Sequence, residues 1–153
     1  MIGSFVARRL PSILLLATAV LAAPAATAEE VGIAWTSWKS ARAQIPTEPD
    51  RPILLFCKYR FCGSCARMEE ETFSDPELAR WVEERFVPAR QTLWGLGDFV
   101  FPELRRDGEK LRLDVTPTLI VIRGDDFRLS SGFKTPEQLR QFLERATAEL
   151  GGS

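Results

Sequence analysis

Two cysteines with two residues between them, Cys62 and Cys65, are the side chains whose type and spacing best suit chemistry in this chain. They follow an apolar run, residues 53–57, with the length of a buried strand, and they open residues 62–72, whose Ala, Arg, Met and Glu favour a helix. The N–H groups and partial positive charge of a helix N-terminus stabilise the thiolate of the first cysteine. A second cysteine one turn on can attack a mixed disulfide formed by the first. The spacing therefore predicts dithiol–disulfide exchange.

Other uses of the cysteine pair stay open on the residues alone. A structural zinc site generally takes four ligands, whereas the chain offers one further cysteine, Cys57, and no His. A second alternative is that the two cysteines form a static disulfide with a purely structural role. The absence of His also excludes Ser-His-Asp and Cys-His nucleophile pairs. We expect neither a metal nor an organic cofactor.

Cys57 ends the apolar run, ahead of the pair. Cysteine is among the residue types most often buried, so the simplest interpretation is a small core residue. The alternative is a third redox thiol, although a thiol buried in a strand would be poorly exposed to partners.

Length and charge limit the remaining classes of function. The 153 residues predict a single domain. The balance of 20 Lys and Arg against 21 Asp and Glu gives no basic excess for binding nucleic acid. Three cysteines are too few for a scaffold stapled by disulfides.

The first 28 residues have the pattern of a targeting segment. Arg8 and Arg9 precede an uncharged apolar run at residues 13–23, and Ala26 and Ala28 form an A-x-A cleavage pattern. The run is shorter than the roughly 20 residues that span a bilayer. We expect a secretory signal peptide, residues 1–28, and a domain at residues 29–153 in the periplasm, where disulfides persist. An uncleaved N-terminal anchor is the alternative.

The elements that must position the cysteines alternate between helix and strand. A first helix is predicted at residues 35–45, and further helices start at Pro76, capped by Asp75, and at Pro136, where Thr135 and Gln138 suit a capping box. Strands are predicted at residues 53–57, 86–92, 119–123 and 127–133. Residues 93–112 are the least regular part, with a short helix expected around residues 102–106. This order predicts an α/β fold with a mixed sheet between helices.

The sequence F-C-G-S-C at residues 61–65 resembles the W-C-G-P-C of thioredoxin-like proteins, and the resemblance covers residues 53–150. It implies the thioredoxin fold, in which a mixed central sheet is flanked by helices on both faces. It also implies that Cys62 is the attacking nucleophile and Cys65 the resolving thiol. Thr116-Pro117-Thr118 stands where the family has a cis-proline facing the cysteine pair. Pro117 is therefore expected to follow a cis bond and to face the substrate.

Residues 65–76 further resemble the C-terminal thioredoxin-like domain of DsbD-type membrane reductases and of their small periplasmic relatives, where the C-x-x-C helix also runs into T-F-S-D-P. This resemblance implies a reductant of protein disulfides. Its expected partners are c-type cytochrome maturation factors or a disulfide isomerase, with a membrane protein as electron donor. We expect a monomer that binds no nucleic acid. The alternatives are an oxidase or isomerase of the same fold, or a non-catalytic binding or chaperone module.

The chain departs from the family at the proton acceptor for the second cysteine. The family has a buried Asp six residues before the first cysteine, and Phe56 stands there instead. Glu69 lies four residues after Cys65 on the same helical face and matches a Glu of the DsbD-like domain, so it is the candidate substitute. The alternative is that Glu69 is only one of three consecutive solvated Glu. Phe61 and Ser64 replace the Trp and Pro of the family's motif.

Overall fold

The computed structural model describes residues 32–44 and 50–152. Its elements, in chain order, are β1 Thr36–Ser37, α1 Trp38–Gln44, β2 Ile53–Tyr59, α2 Gly63–Glu71, α3 Pro76–Arg85, β3 Val87–Leu93, a 3₁₀ turn Leu96–Phe99, β4 Val100–Arg106, β5 Glu109–Arg112, β6 Thr118–Arg123, β7 Asp126–Ser131 and α4 Pro136–Gly151.

A five-stranded mixed sheet, in the order β1-β3-β2-β6-β7, forms the centre of the fold. Strands β1, β3 and β2 run parallel, β6 is antiparallel to β2, and β7 forms a hairpin with β6. Because Cys57 of β2 pairs with Thr118 of β6, the carboxyl end of β2 and the amino end of β6 lie at the same edge of the sheet. The cysteine pair follows β2 at that edge.

Strand β2 is the central strand because its side chains are apolar on both faces, as the run at residues 53–57 predicts. Leu54 and Phe56 pack into a core under α2, α3 and α4. Ile53, Leu55 and Cys57 pack into a second core on the opposite face. The mixed sheet with helices on both faces is therefore confirmed.

The second face is covered by α1 together with a two-stranded hairpin, β4–β5. The short helix expected around residues 102–106 is wrong, because β4 occupies this stretch. Asp107 and Gly108 connect the two strands with φ angles of 55° and 83°, as in a two-residue type I′ turn. Phe101 and Leu104 are buried against the sheet, and this burial outweighs any local helical preference.

Capping residues mark the other helix starts as predicted. Asp75 accepts the N–H of Leu78 at 2.7 Å, and Pro76 is the first residue of α3. The hydroxyl of Thr135 accepts the N–H of Gln138 while the Gln138 side chain accepts the N–H of Thr135, which completes the capping box of α4.

The first helix begins later than predicted. Residues 36–37 pair with β3, so α1 starts at Trp38 rather than at residue 35. The predicted helix end at residue 45 lies outside the described residues, as do residues 46–49 after it. The signal peptide predicted for residues 1–28 lies outside them as well. No helix within the described part of the chain has the length and apolar character required to cross a bilayer.

Candidate active site

Cys62 is the N-cap of α2 and is joined to Cys65 by a disulfide bond. A backbone hydrogen bond from the N–H of Cys62 to the carbonyl of Tyr59, 3.2 Å long, fixes the short loop between β2 and α2. The N–H of Cys65 donates to the Cys62 sulfur at 3.1 Å. The helix N-terminus thus directs a backbone donor at the first sulfur, which is the arrangement that stabilises a thiolate after reduction.

The two sulfur-bearing residues differ in burial. Cys62 is half-buried and is followed by exposed Gly63 and Ser64, so its side is open to a partner. Cys65 has 0% of its surface exposed and packs beside Met68 in the core under the helices. A partner's disulfide can therefore be reached from Cys62, whereas Cys65 can react only with the sulfur of its neighbour.

Pro117 follows a cis peptide bond, as predicted for this position. Its carbonyl accepts the N–H of Gly132 at 2.8 Å, and Gly132 has a φ of 85° that suits a residue without a Cβ. The hydroxyl of Thr118 donates to the carbonyl of Val115 at 2.7 Å, which closes the loop around the proline. The sheet register places Pro117 at the same edge as the loop that carries Cys62.

Glu69 lies one turn after Cys65 on α2 and forms two ion pairs. One carboxylate oxygen is 2.5 Å from the Lys58 ammonium at the end of β2, and the other is 3.0 Å from the Arg90 guanidinium on β3. The Glu69 side chain is only 26% exposed, so it is not a freely solvated carboxylate. These ion pairs tie the helix that carries the cysteines to two strands of the sheet.

Sequence reasoning missed the partners of Glu69, although a signal for one of them existed. Lys58 alternates with Leu54 and Phe56 along β2, and residues of that parity face α2. A Lys on a face covered by a helix needs a carboxylate partner nearby. Arg90 had no such local signal, because its contact depends on the parallel pairing of β3 with β2.

The cations near the cysteines in sequence differ in how far their charge is neutralised. Lys58 is paired with Glu69. Arg67 is paired with Glu71 at 2.9 Å, and its hydrogen bond lowers the pKa of the Glu71 carboxyl. Arg60, by contrast, forms no ion pair with any residue of the described chain and lies over the rings of Phe61 and Trp94.

Phe56 occupies the place of the family's buried Asp and is part of an aromatic cluster. Its ring centroid lies 4.8 Å from that of Phe73 and 5.7 Å from that of Trp35. The position of residue 56 therefore offers no proton acceptor, because packed aromatic rings fill this part of the core.

Cys57 is a free thiol on the face of the sheet opposite to Cys65. It is fully buried, and burial raises the pKa of its thiol well above the ordinary value. A neutral buried thiol is a poor nucleophile. The position supports the core interpretation of Cys57 over a third redox thiol.

An exposed aromatic surface adjoins the cysteines. Phe61 and Trp94 are 73% and 61% exposed. Beside them is a cavity of about 300 Å³ lined by Tyr59, Gly95, Phe99, Asp114, Val115 and Thr116. Across residues 32–44 and 50–152, no group of three or more potential metal ligands comes together.

Comparisons with known proteins agree with this architecture. A family model described as a thioredoxin-like domain matches residues 39–147. A thioredoxin from Thermus thermophilus is 19% identical, with 78% of this chain and 87% of that chain covered and a TM-score of 0.50. The reduced C-terminal domain of Neisseria meningitidis DsbD is 21% identical, with coverages of 71% and 92% and a TM-score of 0.51.

A DsbH oxidoreductase has a similar fold at lower identity. It is 14% identical to this chain, the alignment covers 76% of this chain and 85% of that one, and the TM-score is 0.54. A search of curated proteins finds no significant match. At these identities the likeness establishes the fold, and the chemistry has to be argued from the residues of this chain.

Proposed function

The chain belongs to the thioredoxin-like domain family, and we propose that it is an exported reductase of protein disulfides that acts through Cys62 and Cys65. The fold and the C-x-x-C pair are those of a thiol–disulfide oxidoreductase. The observation that carries the proposal is the asymmetry of the pair. Cys62 is accessible at the N-terminus of α2, and Cys65 is buried behind it.

The reaction starts from the reduced protein and moves two electrons to the partner. The Cys62 thiolate attacks one sulfur of the partner's disulfide, so that a mixed disulfide forms and the other partner sulfur leaves as a thiolate that takes up a proton. Cys65 then loses its proton and attacks the Cys62 sulfur. The second partner sulfur leaves and is protonated, and the Cys62–Cys65 disulfide is closed. A donor of two electrons, which we take to be a membrane protein, must then reduce the pair again.

Glu69 is the proposed proton acceptor in the second step. A buried thiol resists ionisation, so Cys65 needs a base, and Phe56 cannot serve. The Glu69 carboxylate is one helical turn away and is the acidic group on that face. Since both its oxygens bind cations, it takes the proton by giving up an ion pair, directly or through a water.

Pro117 is proposed to face the bound partner. Its loop lies at the sheet edge where Cys62 is presented, and Val115 before it is exposed. In this proposal a partner segment lies along the Pro117 loop, and its disulfide is held near Cys62.

The reducing direction is supported by the charges around the pair. Members of the family span about −270 to about −120 mV, and oxidising members owe their potential to a stabilised reduced form. Here Lys58 and Arg67 are each neutralised by a carboxylate, and the chain has no His. The thiolate is therefore supported by the helix N-terminus rather than by these two cations, which favours the reducing end of the range.

Export rests on the pattern of residues 1–28. Cleavage after Ala28 would release a periplasmic protein, whose partners we propose to be c-type cytochrome maturation factors or a disulfide isomerase. N-terminal sequencing of the protein from a periplasmic fraction tests this, because an N-terminus at Glu29 is expected. An intact N-terminus in the membrane fraction would indicate an anchor.

A disulfide reduction assay with insulin and dithiothreitol tests the activity. The wild-type protein should accelerate precipitation of the insulin B chain, Cys62→Ser should be inactive, and Cys57→Ala should keep the rate. A wild-type protein that gives no acceleration would contradict the proposal and favour a binding module with a static disulfide. A reduction potential near the oxidising end of the family would overturn the direction only.

A further inference from the structure

Arg60 is the cation nearest the cysteine pair in sequence that has no carboxylate partner among the described residues. Its guanidinium carbon lies 4.2 Å from the ring centroid of Phe61 and 4.9 Å from that of Trp94. A guanidinium that stacks by its face keeps N–H donors along its edges for a carboxylate. An exposed cation is thus held by two exposed rings, directly beside Cys62.

This surface is fixed before any partner arrives. The backbone N–H of Arg60 donates to the carbonyl of Leu93 at 3.3 Å, which holds the loop before α2 against the end of β3. Trp94 follows directly, and its N–H is bound by the Asp98 carboxylate at 2.8 Å. A preorganised surface loses little conformational entropy on binding, so more of the contact energy appears as affinity.

We propose that Arg60, Phe61 and Trp94 form a docking surface for a protein partner that carries an acidic side chain beside the cysteine attacked by Cys62. The proposal rests on the proposed function and adds the chemistry of its substrate. Tryptophan, tyrosine and arginine are the residues that most often dominate binding energy. A charge-assisted pair of hydrogen bonds from the Arg60 edge to a carboxylate would give both orientation and selectivity.

The position and charge of the surface favour a different, acidic protein as its partner rather than a second copy of this chain. Phe61 immediately precedes Cys62, so a partner that covers the exposed Phe61 ring lies next to the residue that carries the accessible sulfur. A symmetric pair of chains meeting through this surface would bring two unpaired guanidinium groups to the same contact. An acidic partner neutralises Arg60 instead, and its disulfide is placed where Cys62 can attack it.

The test uses three synthetic peptides that each contain one intramolecular disulfide. They differ only in the residue next to one of the two cysteines, which is Glu, Gln or Lys. Reduced protein is mixed with each peptide in a single turnover, and peptide reduction is followed by chromatography. At low salt the Glu peptide should react about three to ten times faster than the Lys peptide. The ratio should fall toward one at about 1 M salt, where charges are screened within about 3 Å.

Variants separate docking from effects on the thiolate. Arg60→Glu should invert the order of the Glu and Lys peptides, and the ratio of the two rates is unaffected by any change in Cys62 reactivity, which acts on all peptides alike. Arg85→Glu is the matched control, because it makes the same charge reversal at an arginine that also lies over a tryptophan ring, that of Trp81, but at the opposite end of the sheet. It should leave the three rates unchanged.

The outcomes distinguish the inference from the function on which it rests. Equal rates for the three peptides with wild-type protein would overturn the docking surface and leave the reductase intact. The same conclusion follows if Arg60→Glu keeps the wild-type order. Failure to reduce any of the peptides would instead overturn the proposed function.

Discussion

At the scale of single residues, Cys62 and Cys65 carry the same thiol group, and the proposed mechanism gives them different steps because they differ in burial. Cys65→Ser should accumulate mixed disulfides through Cys62, because the resolving thiol is gone while the accessible one remains. Non-reducing electrophoresis of cells that express the variant measures this. The matched variant Cys62→Ser should trap nothing, since its remaining thiol at residue 65 is buried. Trapping by Cys62→Ser alone would reverse the two roles.

Cys57 should influence the pH dependence of stability without taking part in catalysis. Burial raises its thiol pKa in the folded protein above the ordinary value of 9.0. The folded state therefore keeps a proton that the unfolded state loses as the pH rises past 9, and stability falls with pH in that range. Above pH 9, the free energy of unfolding of the oxidised wild-type protein should fall by up to about 1.4 kcal/mol per pH unit relative to that of oxidised Cys57→Ala. Urea unfolding at a series of pH values measures both. Parallel pH profiles for the two proteins would contradict the burial of the thiol.

Glu69 should matter more than its neighbours for the release of a bound partner. Glu69→Gln should slow the attack of Cys65 on a Cys62 mixed disulfide, and general-base assistance is typically worth about 10²–10⁴-fold. Glu70→Gln and Glu71→Gln are the controls, because they remove the same charge from exposed positions of the same helix. Release of thionitrobenzoate from the preformed mixed disulfide measures the rate.

Substitution of Glu69 also removes its two ion pairs, so its effect on stability has to be measured separately from its effect on the rate of release. Glu69→Gln leaves Lys58 and Arg90 without their carboxylate and should lower the free energy of unfolding by about 1–2 kcal/mol. Lys58→Gln breaks one ion pair but keeps the carboxylate, so it should lower stability while retaining fast release. Equally slow release in Lys58→Gln and Glu69→Gln would show that the ion pair, rather than proton transfer, sets the rate.

Residue-level predictions succeeded where the signal was local in sequence. The cysteine pair, the helix start beside it and the cis bond before Pro117 each depend on a few consecutive residues, directly or through the family resemblance. The partners of Glu69 were missed because they come from two other strands, and their proximity depends on how those strands pair. No pattern along a single segment encodes such a contact.

At the scale of elements, the β4–β5 hairpin was not predicted, although its turn has a clear sequence signal. Asp107-Gly108 is a strong sequence signal for a two-residue hairpin turn, but Pro102 and the Gly-broken aromatic stretch before it obscured the flanking strands. The structure accommodates them with an irregular register between Phe101 and Arg105. The strands and helices with unbroken apolar patterns, such as β2 and α4, were predicted well because their patterns contain no such interruption.

The turn gives a test at the element scale. Gly108→Ala should lower the free energy of unfolding by about 1 kcal/mol, because a Cβ disfavours the left-handed φ of 83°. Gly97→Ala is the matched control, since a Cβ would meet no atom within 4 Å at either glycine and Gly97 has no positive φ. Thermal unfolding measures both, and an equal change in the two variants would contradict the assigned turn.

At the scale of the whole molecule, the central sheet lies between the buried thiol of Cys57 and the cysteine pair. It also brings the Pro117 loop to the edge that carries this pair. Cys57 and Cys65 belong to cores on opposite faces of the sheet, so the buried free thiol stays apart from the exchange reaction. The ion pairs of Glu69 connect α2 to β2 and β3, and the β2–β6 register brings the Pro117 loop to the same edge. The helix that carries the cysteines is therefore bound to two strands of the sheet, and a third strand brings the Pro117 loop to the edge where Cys62 lies.

This arrangement predicts that the oxidised protein is more stable than the reduced protein. Folding and reduction form a thermodynamic cycle, in which about 30 mV of difference in potential between folded and unfolded chain corresponds to about 1.4 kcal/mol of stability. Lys58 and Arg67 are already paired with carboxylates, so the folded state offers a reduced Cys62 thiolate limited support, while reduction leaves a second thiol buried at Cys65. Urea unfolding of Cys57→Ala with and without dithiothreitol measures the difference free of the third thiol, and we expect the oxidised form to have the higher midpoint. A higher midpoint for the reduced form would place the protein among the oxidants of its family and contradict the direction of electron flow proposed for it.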